Sequence, residues 1–233
     1  MQKKIIRRTV TAARFTFMKQ NSSLNYKIAM TGIFSALSIL LSFTPLGYIQ
    51  LGTAISITLM HIPVILVTVI AGIVPGIAVG LVFGLSSLIR TVMSGAAAGP
   101  FFLNPLVSVV PRMLFPVAVW AVFSLLNAIP RFPKIISASV AAAAGTFIHT
   151  VLVMGAIFLL YQDIFMGMIR GAIEKLGFTS GSISGGKAFL AVIATTMITN
   201  GFLEILAAVI LTAAVTGSIY AANSRKSKIS KLE

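Results

Sequence analysis

The chain has 233 residues, 58% hydrophobic and 9% charged, with a net charge of +14 and no cysteine. An ordinary soluble domain is about a quarter charged, so this composition and a mean hydropathy of +1.03 exclude one and make the bilayer the solvent. Disulfides, thiolate catalysis and cysteine metal sites are excluded with the missing thiols, and the apolar runs are too long and too little alternating for barrel strands.

In chain order, residues 1–27 form a basic tail with Lys3, Lys4, Arg7, Arg8, Arg14, Lys19 and Lys27. It runs into a full-length apolar segment without a small-residue cleavage signal, so a retained cytosolic tail is expected rather than a transit peptide. The first span is expected over residues 28–44, stopping at Pro45-Leu46-Gly47. It carries small residues at Ala29, Gly32 and Ala36, a face smooth enough for close helix approach, either within this chain or to another membrane subunit. Residues 48–58 are too polar to face lipid. The second span, residues 59–73, is short and contains Pro63, which predicts a kink or tilt. Pro75-Gly76 predicts a tight turn before the third span, residues 77–93. Gly72, Gly76, Gly80 and Gly84 recur at every fourth position, a spacing that packs helix backbones closely in lipid.

A small-residue loop, residues 94–99, leads to Pro100 and a fourth span at residues 105–127. A basic loop with Arg131 and Lys134 precedes the fifth span, residues 136–161. Residues 162–187 are the longest outer segment, with an amphipathic piece (Ile164 to Leu176) and a Gly/Ser-rich end; loops of this length are usually functional or disordered. The sixth span falls within residues 188–220, and a basic tail, residues 221–233, closes the chain. The expected fold is therefore all-α, a six-transmembrane-helix bundle over residues 28–220 with both termini cytosolic. Thirteen of the eighteen bases fall in inner segments, against Arg170, Lys175 and Lys187 outside, as the positive-inside rule requires. The same clusters suit anionic headgroups, so the bases indicate a lipid bilayer and not nucleic acid.

Arg90 and Arg112 remain inside the membrane, where a charged side chain is costly and marks a functional site by default. Ser86 and Arg90 share one helix face, and Asn104, Ser108 and Arg112 share another, so the two arginines could converge on an anion entering from outside; Arg90 could instead snorkel to the headgroups. Thr196, Asn200 and Glu204 form a third polar stripe. Glu204 is either a structural partner of Arg112 or of backbone, or a substrate contact. His61 fits a capping or pocket-lining role, and His149 an interhelical hydrogen bond. Their spacing supports no metal site, and no cofactor is expected. Gly181 to Lys187 imitates a phosphate-binding loop but has Ala188 where Ser or Thr belongs and no preceding strand. Gly84-Leu85-Ser86-Ser87 with His149 matches an intramembrane serine protease poorly; an enzyme is not expected.

The segments Tyr26 to Ser38, Met60-His-Ile-Pro-Val-Ile-Leu66, Gly72 to Arg90 and Asn104-Pro-Leu-Val-Ser-Val-Val-Pro-Arg112, in this order, resemble the substrate-binding S component of energy-coupling factor (ECF) vitamin transporters. The resemblance implies a cell-membrane protein that binds a vitamin near the outer face without catalysis. It also implies a membrane coupling protein and two cytosolic ATPase subunits as partners, with Ala29, Gly32 and Ala36 as the docking face. The expected substrate-binding residues are Arg90, Arg112, Asn104, Ser108, His61 and Asn200. Met60 to Leu66 and Asn104 to Arg112 look most like pantothenate-type members. The competing readings are a self-sufficient ion-coupled carrier, with Glu204 as its coupling site, and an accessory membrane protein.

Overall fold

The computed structural model describes residues 24–51, 55–93, 100–163, 166–167 and 185–229. The basic tail up to residue 23, the loop at 94–99 and most of the long outer segment, including its amphipathic and Gly/Ser-rich pieces, lie outside the described residues.

Helix α1 covers Leu24–Phe43. Strands β1 (Tyr48–Leu51) and β2 (Ile55–Thr58) follow as an antiparallel hairpin with Tyr48 opposite Thr58. The remaining helices are α2 (Ile62–Ala71), α3 (Ile73–Met93), α4 (Pro105–Ser108), α5 (Val110–Asn127), α6 (Lys134–Leu160), α7 (Gly185–Thr196) and α8 (Phe202–Ile229). Among the described residues five stretches are long and apolar enough to cross a membrane: Leu24–Phe43, Ile73–Met93, Pro105–Asn127, Lys134–Leu160 and Phe202–Ala222. Large apolar side chains such as Ile89, Val92, Leu114, Trp120 and Leu159 are exposed on them, as lipid-facing surfaces require. Many hydroxyls of the helices turn back onto their own backbone, for example Thr68 to Val64 O (2.6 Å) and Ser86 to Val82 O (2.8 Å), which satisfies them without water.

The bundle departs from the sequence expectation at four places. Tyr48–Leu51 and Ile55–Thr58 pair as strands, and their paired backbone groups make a semi-polar segment tolerable beside the helices. The second span is the ten-residue α2, about 15 Å long against a hydrocarbon core of about 30 Å; eight of its residues are buried, so neighbouring helices rather than lipid surround it. Pro63 lies in its first turn, where the missing N–H costs nothing, and starts the helix instead of kinking it. The chain turns at Gly72, whose φ of 101° suits glycine, and not at Pro75-Gly76, which falls inside the first turn of α3. The sixth span is interrupted by a π-turn, Met197–Gly201, closed by Phe202 N–H donating to Met197 O, and α8 then continues to Ile229, nine residues into the expected tail.

Three of the four regularly spaced glycines form a ladder between α3 and α5. A Cβ at Gly76 would overlap Thr68 and press on Pro116; at Gly80 it would overlap Arg112 O; at Gly84 it would lie 2.7 Å from Val109 Cα. Ascending α3 thus matches descending α5, so the helices are antiparallel with their backbones in contact. Pro116 has no N–H to offer Arg112 O four residues back, and Gly80 lies against that freed carbonyl. Gly72, expected in the same set, is a correction: it has nothing within 4 Å of a Cβ and serves as the link between α2 and α3. On α6, Ala138, Ala141, Ala142 and Gly145 are buried, and a Cβ at Gly145 would overlap Val119 of α5. The core fills the space between these helices with Val64, Ile65, Val67, Val79, Phe83, Phe115 and Val119.

Candidate functional site

The α3–α5 ladder places Arg112 at the centre of the bundle. The side chain is buried, 5% exposed, and its Nη1 donates to Ser108 O (2.5 Å) and Val107 O (3.4 Å). Pro111 explains the second contact: without an N–H it leaves Val107 O short of a helical donor, and the guanidinium supplies one. The Arg112 Cζ lies 4.8 Å from the centre of the Phe83 ring and 5.6 Å from that of Phe102. Two aromatic faces thus hold the cation by cation–π attraction in surroundings where water is scarce. Phe102 comes from the one-turn helix Pro100–Leu103 that precedes α4.

A group of rings adjoins the guanidinium. The His149 ring stacks on His61 at 5.8 Å with 13° between planes, lies 5.9 Å from Phe83 and meets Phe115 edge-on at 4.9 Å. His61 stands at the N-cap of α2 but makes no capping bond with its side chain. Its Nε2 lies 3.1 Å from Thr146 Oγ1. The Thr146 hydroxyl proton is directed at Ala142 O (3.0 Å), which leaves His61 Nε2 as the donor between the two. The interhelical hydrogen bond expected of His149 therefore belongs to His61, while His149 Nε2 is buried with no hydrogen-bond partner.

The other sequence candidates are placed around this centre. Asn104 caps α4, its Oδ1 accepting from Leu106 N (3.0 Å) and its Nδ2 donating to Tyr161 Oη (3.3 Å). Ser108 is fully buried and donates to Asn104 O at 3.1 Å. Both side chains brace the α4–α5 break beneath Arg112. Arg90 is half-buried in the last turn of α3. It lies ten residues beyond Gly80, the residue level with Arg112, so the two backbone positions are about 15 Å apart along the helix. The structure therefore does not stack the two arginines side by side. Ser86, bonded to its own helix, is not paired with His149 among the described contacts.

Asn200 lies half-buried in the π-turn, one turn before Glu204. Glu204 Oε1 accepts the Thr58 N–H at 2.8 Å, so of the alternatives for this carboxylate the structure shows the backbone partner. That bond fixes the end of β2, three residues before His61, and Leu59 N donates to Gly47 O (3.0 Å) to close the base of the hairpin. Sequence reasoning missed Phe83, Phe102 and Phe115 as companions of the polar residues; the prolines at 111 and 116 were the available signal that this stretch of α5 is irregular.

On α1, Ala29, Gly32, Ile33 and Ala36 are exposed, whereas Phe34, Ser38 and Ser42 on the opposite face are buried. A Cβ at Gly32 would meet nothing within 4 Å, so this small-residue face has no partner among the described residues. The Lys134 ammonium sits 5.4 Å over the Tyr220 ring, tying α6 to α8.

A family model described as "ECF transporter, substrate-specific component" matches residues 26–216. The match begins inside α1 and runs almost to the end of the last apolar stretch, covering every residue of the site above. No curated protein matches the chain.

Proposed function

The chain belongs to the substrate-specific components of ECF transporters, and from this premise we propose that it binds a small anionic micronutrient at Arg112 and releases it inward with energy from partner ATPases. The observation that carries the reading is the buried guanidinium held between Phe83 and Phe102. A charge maintained at that depth is repaid when a ligand supplies the opposite charge. A carboxylate suits it, because charge-assisted bonds to guanidinium are among the strongest available in a protein interior. Pantothenate is the best candidate of that kind, in keeping with the resemblance of the Met60 to Leu66 and Asn104 to Arg112 segments. His61 and the ring group flank the site, Asn104 and Ser108 set its floor, and Arg90 and Asn200 contribute from its margins.

Within this reading the exposed face of Ala29, Gly32 and Ala36 docks the membrane coupling protein, which joins the chain to two cytosolic ATPase subunits. Both termini lie on the cytosolic side of the cell membrane, where the Arg131–Lys134 loop and Arg225, Lys226, Lys228 and Lys231 meet anionic headgroups. Glu204 bonded to Thr58 N–H supports a structural role for that carboxylate and weighs against the ion-coupled carrier.

The test is purification of the full chain in mild detergent from its host, with mass-spectrometric identification of the bound small molecule and of co-purifying proteins. The proposal expects one carboxylate vitamin, a coupling protein and two ATPases. An unaccompanied chain that transports in liposomes on a proton or sodium gradient would overturn it.

A further inference from the structure

The ring of His149 packs beside Arg112, but stacking leaves its Nε2 unused. It lies on the face of α6 that also carries Ala142, Gly145 and Val153, all buried. The ring is walled by His61, Phe83 and Phe115, yet Nε2 is buried without a hydrogen bond. Stacking alone would be served better by phenylalanine, which carries no polar nitrogen to desolvate; a buried imidazole left unpaired bears that cost in full. A bonding group from outside the chain would remove it.

The neighbouring cation indicates what that group is attached to. Arg112 Cζ and the His149 ring both rest on Phe83, 4.8 and 5.9 Å from its centre, so they stand no more than 10.7 Å apart, within the span of one small molecule. The guanidinium matches a carboxylate bidentately. A neutral imidazole offers one donor and one acceptor and matches a hydroxyl or an amide.

We propose that His149 is a ligand-contacting, specificity-determining residue, whose imidazole reads a hydroxyl or amide group on a small carboxylate bound at Arg112. The proposal rests on the reading of this chain as a substrate-specific component with Arg112 in its site. It predicts discrimination against carboxylates of similar size that lack the second polar group, because these would leave Nε2 unpaired.

The test uses the full chain in nanodiscs of phosphatidylcholine and phosphatidylglycerol, with radiolabelled pantothenate and biotin as probes, both carboxylates bearing amide-type groups. Wild type is expected to bind at least one. H149F, which keeps the ring stack, should weaken that probe at least tenfold, and H149Q, which keeps donor and acceptor, should restore affinity to within about threefold. In protein labelled with 15N-histidine, saturation with the probe should shift the Nε2 resonance of His149, a readout that does not need either variant to fold. Equal affinity in H149F and wild type, or an unshifted Nε2 resonance, overturns the role of His149. Failure of wild type to bind either probe overturns the ligand class. Co-purification of the coupling protein and ATPases from the same host reports separately on the family role, so its failure and that of the His149 proposal are distinguishable.

Discussion

Replacing Gly84 by alanine adds one methyl group where α3 meets the α4–α5 break. The new Cβ would lie 2.7 Å from Val109 Cα and 3.0 Å from Ser108 O, whereas ordinary contacts begin at 3.4 Å. The backbones must therefore part, by about 0.7 Å to restore ordinary contact, because Val109 Cα cannot rotate away as a side-chain tip would. Overpacking of this kind costs about 1–3 kcal/mol. The alanine recovers about 0.5–1 kcal/mol of helix propensity, leaving a net loss of up to about 2.5 kcal/mol. Ser108 O also accepts from Arg112 Nη1, so its displacement drags the guanidinium and ligand affinity should fall along with stability. Gly32→Ala is the matched control: it gains the same propensity on an exposed helix face with nothing within 4 Å, so it should be neutral or slightly stabilising. Unfolding in mixed micelles titrated with a denaturing detergent, with ligand affinity measured on the same preparations, compares the two. If Gly84→Ala is as stable as Gly32→Ala, the backbone contact between α3 and α5 is wrong.

Arg112→Met should raise the dissociation constant of the identified carboxylate at least tenfold, since a charge-assisted hydrogen bond contributes about 1.5–3 kcal/mol. Arg90→Met should do less from its half-buried position at the helix end; calorimetry giving equal affinity for wild type and Arg112→Met would make Arg112 purely structural. Gly32→Leu should leave ligand binding intact and abolish co-purification with the coupling protein, because bulk prevents close helix approach; normal assembly and uptake would rule out this docking face. Glu204→Leu should cost about 1–3 kcal/mol by leaving the Thr58 N–H unpaired, while Glu204→Gln keeps an oxygen acceptor and most of the stability. Equal loss in thermal unfolding of the two variants would show that charge, and not the bond to Thr58, is what Glu204 supplies.

The membrane class, the positions of the spans at residues 105–127 and 136–161, and the candidacy of Arg112 are legible in the sequence because each follows from a one-dimensional property: hydropathy over a bilayer's length, proline and glycine punctuation, and a charge where none is cheap. The α3 glycine ladder is legible in the same way, since its spacing is set by the helical repeat. What the repeat cannot say is which neighbour each glycine meets; only the packed bundle puts Gly80 on the Arg112 carbonyl that Pro116 leaves free, and releases Gly72 to turn the chain. The β1–β2 pair is hidden because its partners lie on the π-turn and α8, nearly 150 residues away, as the Thr58–Glu204 bond shows. The same holds for the rings around Arg112. Phe83, Phe102, Phe115 and His149 are unremarkable where they stand in the chain, and they come together because three helices and a one-turn helix converge. Burial and hydrogen-bond satisfaction belong to groups of residues distant in sequence, so tertiary structure alone assigns the His61 bond to Thr146 and leaves His149 Nε2 buried without a partner.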